Sequence, residues 1–530
     1  MKTDMKSAFN PIGENDMKNS ILLACLVAAT LLAACSKQEA PAESADAVAD
    51  AAPAKMAAND GGIPLSAASD AALAQYKEVR RLADKGDFIK ANQAARKLTD
   101  ENPDFAGGWI MLGNTALSGP QFAQATTKAT ELSEKGTVGE QLWAQINMSF
   151  ITNDSEEGLR LSEKLVDTYP NAPRAWLIYS GYLSFQNQNE EARAAGEKVI
   201  ELAPDQAFGH NNLGFLYMNN NPKDFVAAEK HFQKAAMIEP DEDNIRVNIG
   251  DVHRASGDLE AARSDYSEAM KLDATNAVAA VKRGHVNSFL GNYDEARADY
   301  DAGIAAGEEG NQSTLANYRA FVSIHAGEHK NAVDELKGEL VRLETLDMPA
   351  DQKVGGRNFI LTNVTDICFN YDMLDEAAAA VDQLTATMAE AGANSGDANY
   401  ARQQDINAAF WRGKLAARQG DFEGATAQAE TFASLAADET NPRKLERYHE
   451  LMGLIALKQG DNEKAIEHYR QSNLSTSAGG GDVKNIYMLA TALYGAGENE
   501  EADELMKQVA NWNFNSVWFA MLRNEAAGET

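Results

Sequence analysis

The chain has 530 residues, with 48 Lys and Arg against 79 Asp and Glu, and its formal net charge at pH 7 is −31. A surface this negative repels phosphate backbones, so we expect no nucleic-acid partner. Only 13 prolines are present, and alternating β-branched runs are nearly absent, which favours helices over sheets.

An apolar run occupies residues 21–34, directly after a short basic stretch. The run is too short to span a bilayer comfortably, but it has the length of a signal-peptide hydrophobic region. We therefore predict a signal peptide over residues 1–34, with either Met1 or Met17 as the true start.

The tetrapeptide Leu32-Ala33-Ala34-Cys35 resembles the lipobox of bacterial lipoproteins. The resemblance implies cleavage before Cys35 and lipid attachment to its sulfur, and several acyl chains together give durable anchoring. Because Ser rather than Asp follows the cysteine, it also implies the outer membrane. We expect the periplasmic face, with exposure at the cell surface left open. The alternative is an ordinary signal peptide with a chance cysteine.

Residues 35–69 are rich in Ala, Pro, Asp, Glu and Ser and hold too few large apolar residues to form a core. We predict a lipidated cysteine followed by a flexible linker over this range. Removal of the signal peptide would take Cys25 with it and leave Cys368 as the one unmodified thiol, so no intramolecular disulfide can form.

The remainder of the chain is repetitive. A unit that starts at Ala207 has apolar and small residues at fixed spacing, namely Leu213, Gly214, Tyr217, Phe225, Ala228, Phe232, Ala235 and Pro240. Glycines at 250 and 284, and again at 257 and 291, are 34 residues apart. This pattern resembles the tetratricopeptide repeat. The resemblance implies an all-α solenoid of helical hairpins, a superhelix. We expect it to follow the N-terminal linker, which the composition of residues 35–69 predicts to be a disordered tether.

The repeated residues have physical tasks that fit this fold. The small residue of the first helix allows the second helix to pack closely. In the turn, Gly adopts a positive φ, and the following Asp caps the next helix. We count twelve candidate units between about 72 and 511, and those at 140–172 and 358–391 depart most because they lack the turn glycine.

Two interruptions divide the units into arrays. We predict an N-terminal array over 70–346, an insertion over 347–357, and a C-terminal array over 358–511 that contains a flexible Gly/Ala/Asn-rich loop at 392–405. Residues 512–530 follow as a capping helix and tail, which we expect to cover the open face of the last repeat. The alternative for this aromatic tail is a docking segment for a partner.

One short motif matches a catalytic signature. His325-Ala-Gly-Glu328-His329 has the H-x-x-E-H spacing of a class of zinc peptidases. That chemistry needs both histidines on one continuous helix, whereas the repeat register places a turn at Gly327. We expect no catalytic residue, no metal and no cofactor, and we expect Cys368 to be a buried, inert thiol.

The tetratricopeptide resemblance implies that the first helices line a concave groove. Carried onto this chain, the inward positions of the family are Asn211, Asn212, Asn248, Arg254, Lys282, His285, Asn317, Tyr318 and Phe321. These residues are candidates for partner binding, and a solvated polar face is the alternative. We expect a non-catalytic, lipid-anchored scaffold that binds a protein or peptide in the cell envelope. An accessory lipoprotein for secretion or envelope polysaccharide export, and a zinc hydrolase, are the alternatives.

Overall fold

The computed structural model describes residues 58–67, 69–116, 119–152, 154–306, 309–348, 350–395, 398–437, 444–476 and 482–528. The predicted signal peptide, Cys35 and most of the predicted linker lie outside these residues. Two short strands come first, β1 (Ala58–Asp60) and β2 (Ile63–Leu65), and they pair antiparallel.

Twenty-five helices follow within the described residues. They are α1 (Asp70–Asp84), α2 (Phe88–Glu101), α3 (Ala106–Asn114), α4 (Gly119–Ser133), α5 (Val138–Thr152), α6 (Ser155–Thr168), α7 (Pro173–Phe185), α8 (Asn189–Leu202), α9 (Ala207–Asn219), α10 (Phe225–Ile238), α11 (Asp243–Ser256), α12 (Leu259–Leu272), α13 (Ala277–Phe289), α14 (Tyr293–Ala306), α15 (Glu309–His325), α16 (His329–Thr345), α17 (Ala350–Asn370), α18 (Leu374–Ser395), α19 (Ala398–Gln419), α20 (Phe422–Leu435), α21 (Glu446–Lys458), α22 (Asn462–Tyr469), α23 (Lys484–Ala496), α24 (Asn499–Ala510) and α25 (Val517–Ala526).

Helices α1 to α24 form twelve consecutive pairs, in which each first helix packs against its second helix and each pair packs against the next. The prediction of an all-α solenoid of helical hairpins is confirmed. Small residues make the close packing within a pair possible. A Cβ added at Gly214 would lie 2.7 Å from the Phe232 ring, and one at Gly250 would lie 2.6 Å from the Tyr266 ring.

The turns inside the pairs use the predicted chemistry. Gly257 and Gly291 have φ of 92° and 80°, a conformation that favours glycine. In the pair α17–α18, which lacks this glycine, Asp372 takes the left-handed conformation with φ of 51°, as Asn and Asp can. Many second helices begin after an Asp whose carboxylate accepts a hydrogen bond from a backbone N–H three residues on, as Asp258 does from Ala261.

The pairs curve into a superhelix. Lys85, which follows α1, forms an ion pair with Glu242, which precedes α11, although the two residues are 157 positions apart. The first six pairs therefore curve until pair 1 contacts pair 6. Residues from their first helices line the enclosed space, which makes this the concave side of the superhelix.

Part of the predicted linker is folded, which corrects the boundary at residue 69. Ile63 and Leu65 of β2 are buried and belong to the hydrophobic clusters of the first pairs. Ile63 can pack against α5 because residue 139 is glycine. A Cβ at this position would lie 2.4 Å from the Ile63 side chain. Two apolar side chains at alternate positions suffice for this hairpin because the neighbouring repeats supply the rest of the core.

The predicted insertion and loop are also corrected. Residues 350–357 belong to the long helix α17, and residues 392–395 and 398–405 belong to α18 and α19. The glycine that indicated a loop has a packing role instead, because a Cβ at Gly392 would lie 3.1 Å from the Ala401 Cα. Packing between α18 and α19 thus extends both helices beyond the usual repeat length.

No helix in the described part of the chain combines the length and the apolar character needed to cross a membrane.

Candidate functional site

The concave side has two parts that differ in what fills them. We define the first groove as the space lined by first helices of pairs 1 to 6, from Arg80 on α1 to Asn248 on α11. We define the second groove as the surface of first helices from Arg254 on α11 to Lys484 on α23. The C-terminal residues 511–526, which we call the tail segment, lie against the second groove.

The first groove contains a cavity of about 260 Å³ and a neighbouring, more apolar cavity of about 100 Å³. The larger cavity is lined by cationic side chains, amides, carboxylates and aromatic rings, and these come from α1, α9 and α11. The smaller one extends the same groove across α3, α5 and α7. Arg80 and Asp84 line both cavities, which therefore adjoin each other along the inside of the first superhelical turn.

Two arginines lie where these cavities meet. Arg174 makes a two-pronged ion pair with Asp84, with N–O distances of 3.0 and 2.7 Å, and its guanidinium lies 4.7 Å from the Phe208 ring centre. The guanidinium of Arg80 lies 5.0 Å from the Trp143 ring centre. Both guanidinium groups lie against aromatic faces. Arg174 is 4% exposed and its charge is balanced by Asp84, so it stabilises the wall of the groove rather than presenting charge to a ligand.

Three of the predicted partner-binding residues line the first groove. Asn211 and Asn248 line the larger cavity, and the Asn248 Nδ2 donates a hydrogen bond to the Asn211 Oδ1 at 2.8 Å. Asn212 lines the smaller cavity, but its Oδ1 already accepts from the Ser180 hydroxyl at 3.2 Å, and only 4% of the residue is exposed. Asn211 and Asn248 are therefore the more accessible of the three.

The second groove is covered by the tail segment. The Trp518 indole donates a hydrogen bond to the Asp366 carboxylate at 3.0 Å, and the Phe519 ring packs edge-on against Phe289 with 5.2 Å between centres. Arg523 donates to the Phe289 carbonyl oxygen at 2.7 Å. Helix α25 contacts α23 and α24, as a cap on the last pair would, and it also contacts α15 and α17.

Charged side chains lie beneath the tail segment. Lys414 is 4% exposed and forms ion pairs with Asp366 at 3.1 Å and with Glu450 at 3.9 Å. Lys484 pairs with Glu450 at 2.7 Å. Burial lowers the pKa of Lys414 to about 8 despite these carboxylates. Burial alone would raise the pKa of Glu450, but Lys484 and Lys414 hold it below its usual value.

The other predicted partner-binding residues are already engaged. Arg254 donates to the Asn513 carbonyl oxygen of the tail segment and lies over the Phe514 ring. The Lys282 ammonium pairs with Asp251 at 2.5 Å. The sequence-based placement of these residues on the inner helix faces was reasonable, but the chain itself occupies their contacts.

The remaining predicted residues form a packed aromatic and amide group. The His285 Nδ1 lies 2.5 Å from the Tyr300 hydroxyl, its ring meets that of Tyr318 edge-on, and burial holds the pKa of His285 well below its usual value. Asn317 is buried, and its Oδ1 accepts from Asn363 at 3.0 Å. Phe321 is buried in the core.

The H-x-x-E-H residues straddle a turn, as the register predicted. His325 ends α15, Gly327 has φ of 78°, and His329 begins α16. The His325 ring packs against Phe289, while the His329 ring stacks on Tyr371. Among the described residues no group of three or more His, Cys, Asp and Glu side chains could hold a metal ion. This geometry gives no support to the zinc alternative.

Cys368 is fully buried, and burial raises the pKa of its thiol to about 11, in agreement with the prediction of an inert thiol.

Sequence reasoning missed Arg80, Asp366 and Lys414, although a signal for them is present. Each lies six residues before the left-handed residue of its turn, at Gly86, Asp372 and Gly420. His285 lies at the same place before Gly291. Applying this spacing to every unit, rather than to those from 207 to 325, would have identified Arg80, Asp366 and Lys414. It would not have identified Arg174, Glu450 or Lys484, which lie 13, 10 and 13 residues before the left-handed residues Asn187, Gly460 and Gly497.

Comparison with known proteins gives one family match and several distant likenesses. The family model of the tetratricopeptide repeat matches residues 244–276 and 446–473, which are pairs 6 and 11. The chain is 21% identical over 198 residues to anaphase-promoting complex subunit 3 of Schizosaccharomyces pombe. That alignment covers 37% of this chain and 30% of the relative, so the chain spans less than a third of the relative's length.

Among solved structures, yeast Tom70 is 14% identical with a TM-score of 0.42, over 81% of this chain and 96% of that one. PilW, described as a type IV pilus biogenesis factor, is 13% identical with a TM-score of 0.33, over 40% and 96%. MamA is 17% identical with a TM-score of 0.27, over 30% and 93%. The family match in two of twelve similar helical pairs shows that the chain contains tetratricopeptide repeats, whose solenoid fold generally binds protein partners.

Proposed function

We propose that the chain is a non-catalytic, lipid-anchored scaffold that binds a protein or peptide partner in the first groove, in the bacterial cell envelope. The observation that carries this proposal is the cavity of about 260 Å³ on the concave side of pairs 1 to 6. The repeats supply the fold for such binding, and the first groove supplies a lined space.

The lining favours an extended peptide with acidic and apolar side chains. Asn211 and Asn248 hydrogen-bond to each other, and each amide also has capacity for the N–H and C=O groups of a peptide backbone. Four cations, Lys77, Arg80, Arg81 and Lys85, line the larger cavity together with three carboxylates, those of Asp84, Glu239 and Glu242, so this lining is slightly positive in a chain whose net charge is −31. An acidic peptide would be repelled by most of the surface and attracted here, which would orient its approach.

The anchor is proposed from the sequence. Leu32 to Cys35 resemble a lipobox, and position 36 carries Ser, which supports the outer membrane and its periplasmic face. Substitution Cys35→Ser should abolish metabolic labelling with a fatty acid and move the protein from the membrane fraction to the soluble fraction. Continued labelling of this variant would overturn the assignment of Cys35.

Photo-crosslinking in cells tests the partner site. A photoreactive residue at position 248 should give a discrete protein adduct that mass spectrometry identifies. A matched probe at position 226 on α10, where Val226 is 80% exposed, should give none. Equal adducts from both positions would show nonspecific contact and would contradict a binding site in the first groove. Absence of any adduct from position 248 in lipidated protein would count against a protein partner in this groove.

A further inference from the structure

The tail segment binds the second groove in the way a separate peptide would. It approaches as a non-helical stretch, residues 512–516, and then forms the helix α25. The Ser516 hydroxyl caps this helix by accepting from the Phe519 N–H at 3.0 Å. Its partners lie far away in sequence, since Asn513, Asn515 and Arg523 reach residues that are 259, 215 and 234 positions distant.

The contacts extend beyond what a terminal cap needs. A cap covers the open face of the last pair, here α23 and α24, and α25 does contact both. Yet Arg254, Phe289 and Tyr300, from pairs 6 and 7, also contact the tail segment. The segment therefore crosses the inner face of half the array.

The surface beneath the tail segment is not a purely apolar core. Asp366, Lys414 and Glu450 are charged residues on first helices, in contact with one another and almost fully covered. Buried ion pairs recover little net stability, because both charges lose their hydration. The Trp518 ring lies 5.7 Å from the Lys414 ammonium and 5.6 Å from the Lys484 ammonium, and its indole meets Asp366, so the tail segment contributes to covering these charges and its release would give them access to water.

We propose that the second groove is a second partner-binding surface, that the tail segment is its intrachain ligand, and that a partner helix of the same chemistry displaces it. The partner helix would carry a Trp followed directly by a second aromatic residue, and the indole N–H of this Trp would donate to Asp366. It would also carry an Arg five residues after the Trp, which would donate to the Phe289 carbonyl oxygen. This surface is distinct from the first groove, so its test is independent of the proposed function.

A labelled peptide of residues 511–526 tests the proposal on the full chain. Its binding to wild-type protein should be weak, because the linked tail segment competes at high effective concentration. In Arg523→Ala protein the linked segment loses its bond to the Phe289 carbonyl, and the added peptide should bind at least tenfold more tightly. Arg470→Ala is the matched control, since Arg470 pairs with Glu501 at an exposed site, and its peptide affinity should equal that of wild type.

A peptide with Ala in place of Trp518 should not bind any of these proteins. If folded Arg523→Ala protein binds the wild-type peptide no better than wild-type protein does, the proposal is wrong. If that variant instead forms dimers and still ignores the peptide, the groove takes the tail of a second copy, which overturns the partner assignment.

Hydrogen exchange on wild-type protein provides a test that needs no variant. The amides of α25 should exchange through an opening that leaves α17 protected, since a displaceable segment must leave a folded array behind. Exchange of α25 only together with α17, at the global rate, would show a fixed structural cap.

Discussion

The two grooves are made from the same kind of helix and differ in what completes them. In the first groove the superhelical turn is closed by an ion pair, between Lys85 and Glu242, and a lined cavity stays inside. In the second the space is filled by the chain's own aromatic helix, α25. The inward residues are charged in both, as Arg80 and Lys414 show. The composition of the inner face alone therefore does not reveal whether a groove is open to a partner.

The largest loss of stability should come from truncating an aromatic side chain that fills the second groove. Trp518→Ala removes a side chain that is 3% exposed, and such truncations cost about 3–5 kcal/mol of folding free energy. The loss should appear as a lower urea midpoint in unfolding followed by fluorescence or circular dichroism. Trp176→Ala is the control, because this residue is only half-buried on α7, and its loss should be well under half as large. Equal losses would mean that burial in the second groove adds nothing to the contribution of Trp518.

Acid should lower the stability of the packing between the tail segment and the second groove, through His325. Burial, with a smaller contribution from the positive charge of Arg523, lowers the pKa of His325 from 6.5 to about 3. Between these values the unfolded chain binds the proton and the folded chain does not, so stability falls as pH decreases. The loss from this group between pH 7 and pH 5 should be about 2 kcal/mol. It is measured by urea unfolding at each pH.

The comparison variant for this pH dependence is His325→Gln, which carries no ionisable ring. Its unfolding free energy should vary less with pH than that of wild type over the same range. An unchanged slope would mean that other groups cause the acid sensitivity.

A smaller effect is expected at the ionic closure of the first groove. Lys85→Met leaves the carboxylate of Glu242, a residue that is 6% exposed, without its cation, which should cost about 1 kcal/mol at pH 7. Burial raises the pKa of Glu242 even with Lys85 present, so the cost should shrink as acidification protonates the carboxyl group. Urea unfolding of both proteins at pH 7 and pH 4 measures this change, and an equal cost at the two pH values would contradict it.

Much of the fold follows from local sequence. The 34-residue spacing, the turn glycines and the capping Asp residues are short-range signals, and they predict the helical pairs because each pair mainly contacts its neighbours. The signals failed where a contact is long-range. Gly392 was taken for a loop residue because Ala401, the neighbour that explains it, lies on another helix.

The candidate site was predictable only in part, for the same reason. Family positions placed Asn211 and Asn248 on an inner face, and both line the cavity. The same positions placed Arg254 there, but a residue 259 positions away occupies it. The period of a repeat carries no information about where the superhelix brings a distant tail, so the filling of the second groove could not be read from it.

The N-terminal hairpin limits how far the first groove can lie from a membrane that holds Cys35. Gly61 and Gly62 lie against Arg174 and Ala172, and Arg174 also lines the groove. If Cys35 carries lipid, as proposed, the 23 residues to Ala58 allow a separation of at most about 80 Å between the lipid and the hairpin. The first groove would then stay within this distance of the membrane, apart from the size of the folded array itself. Partners held in the same membrane would meet it at a raised local concentration, and freely diffusing ones would not.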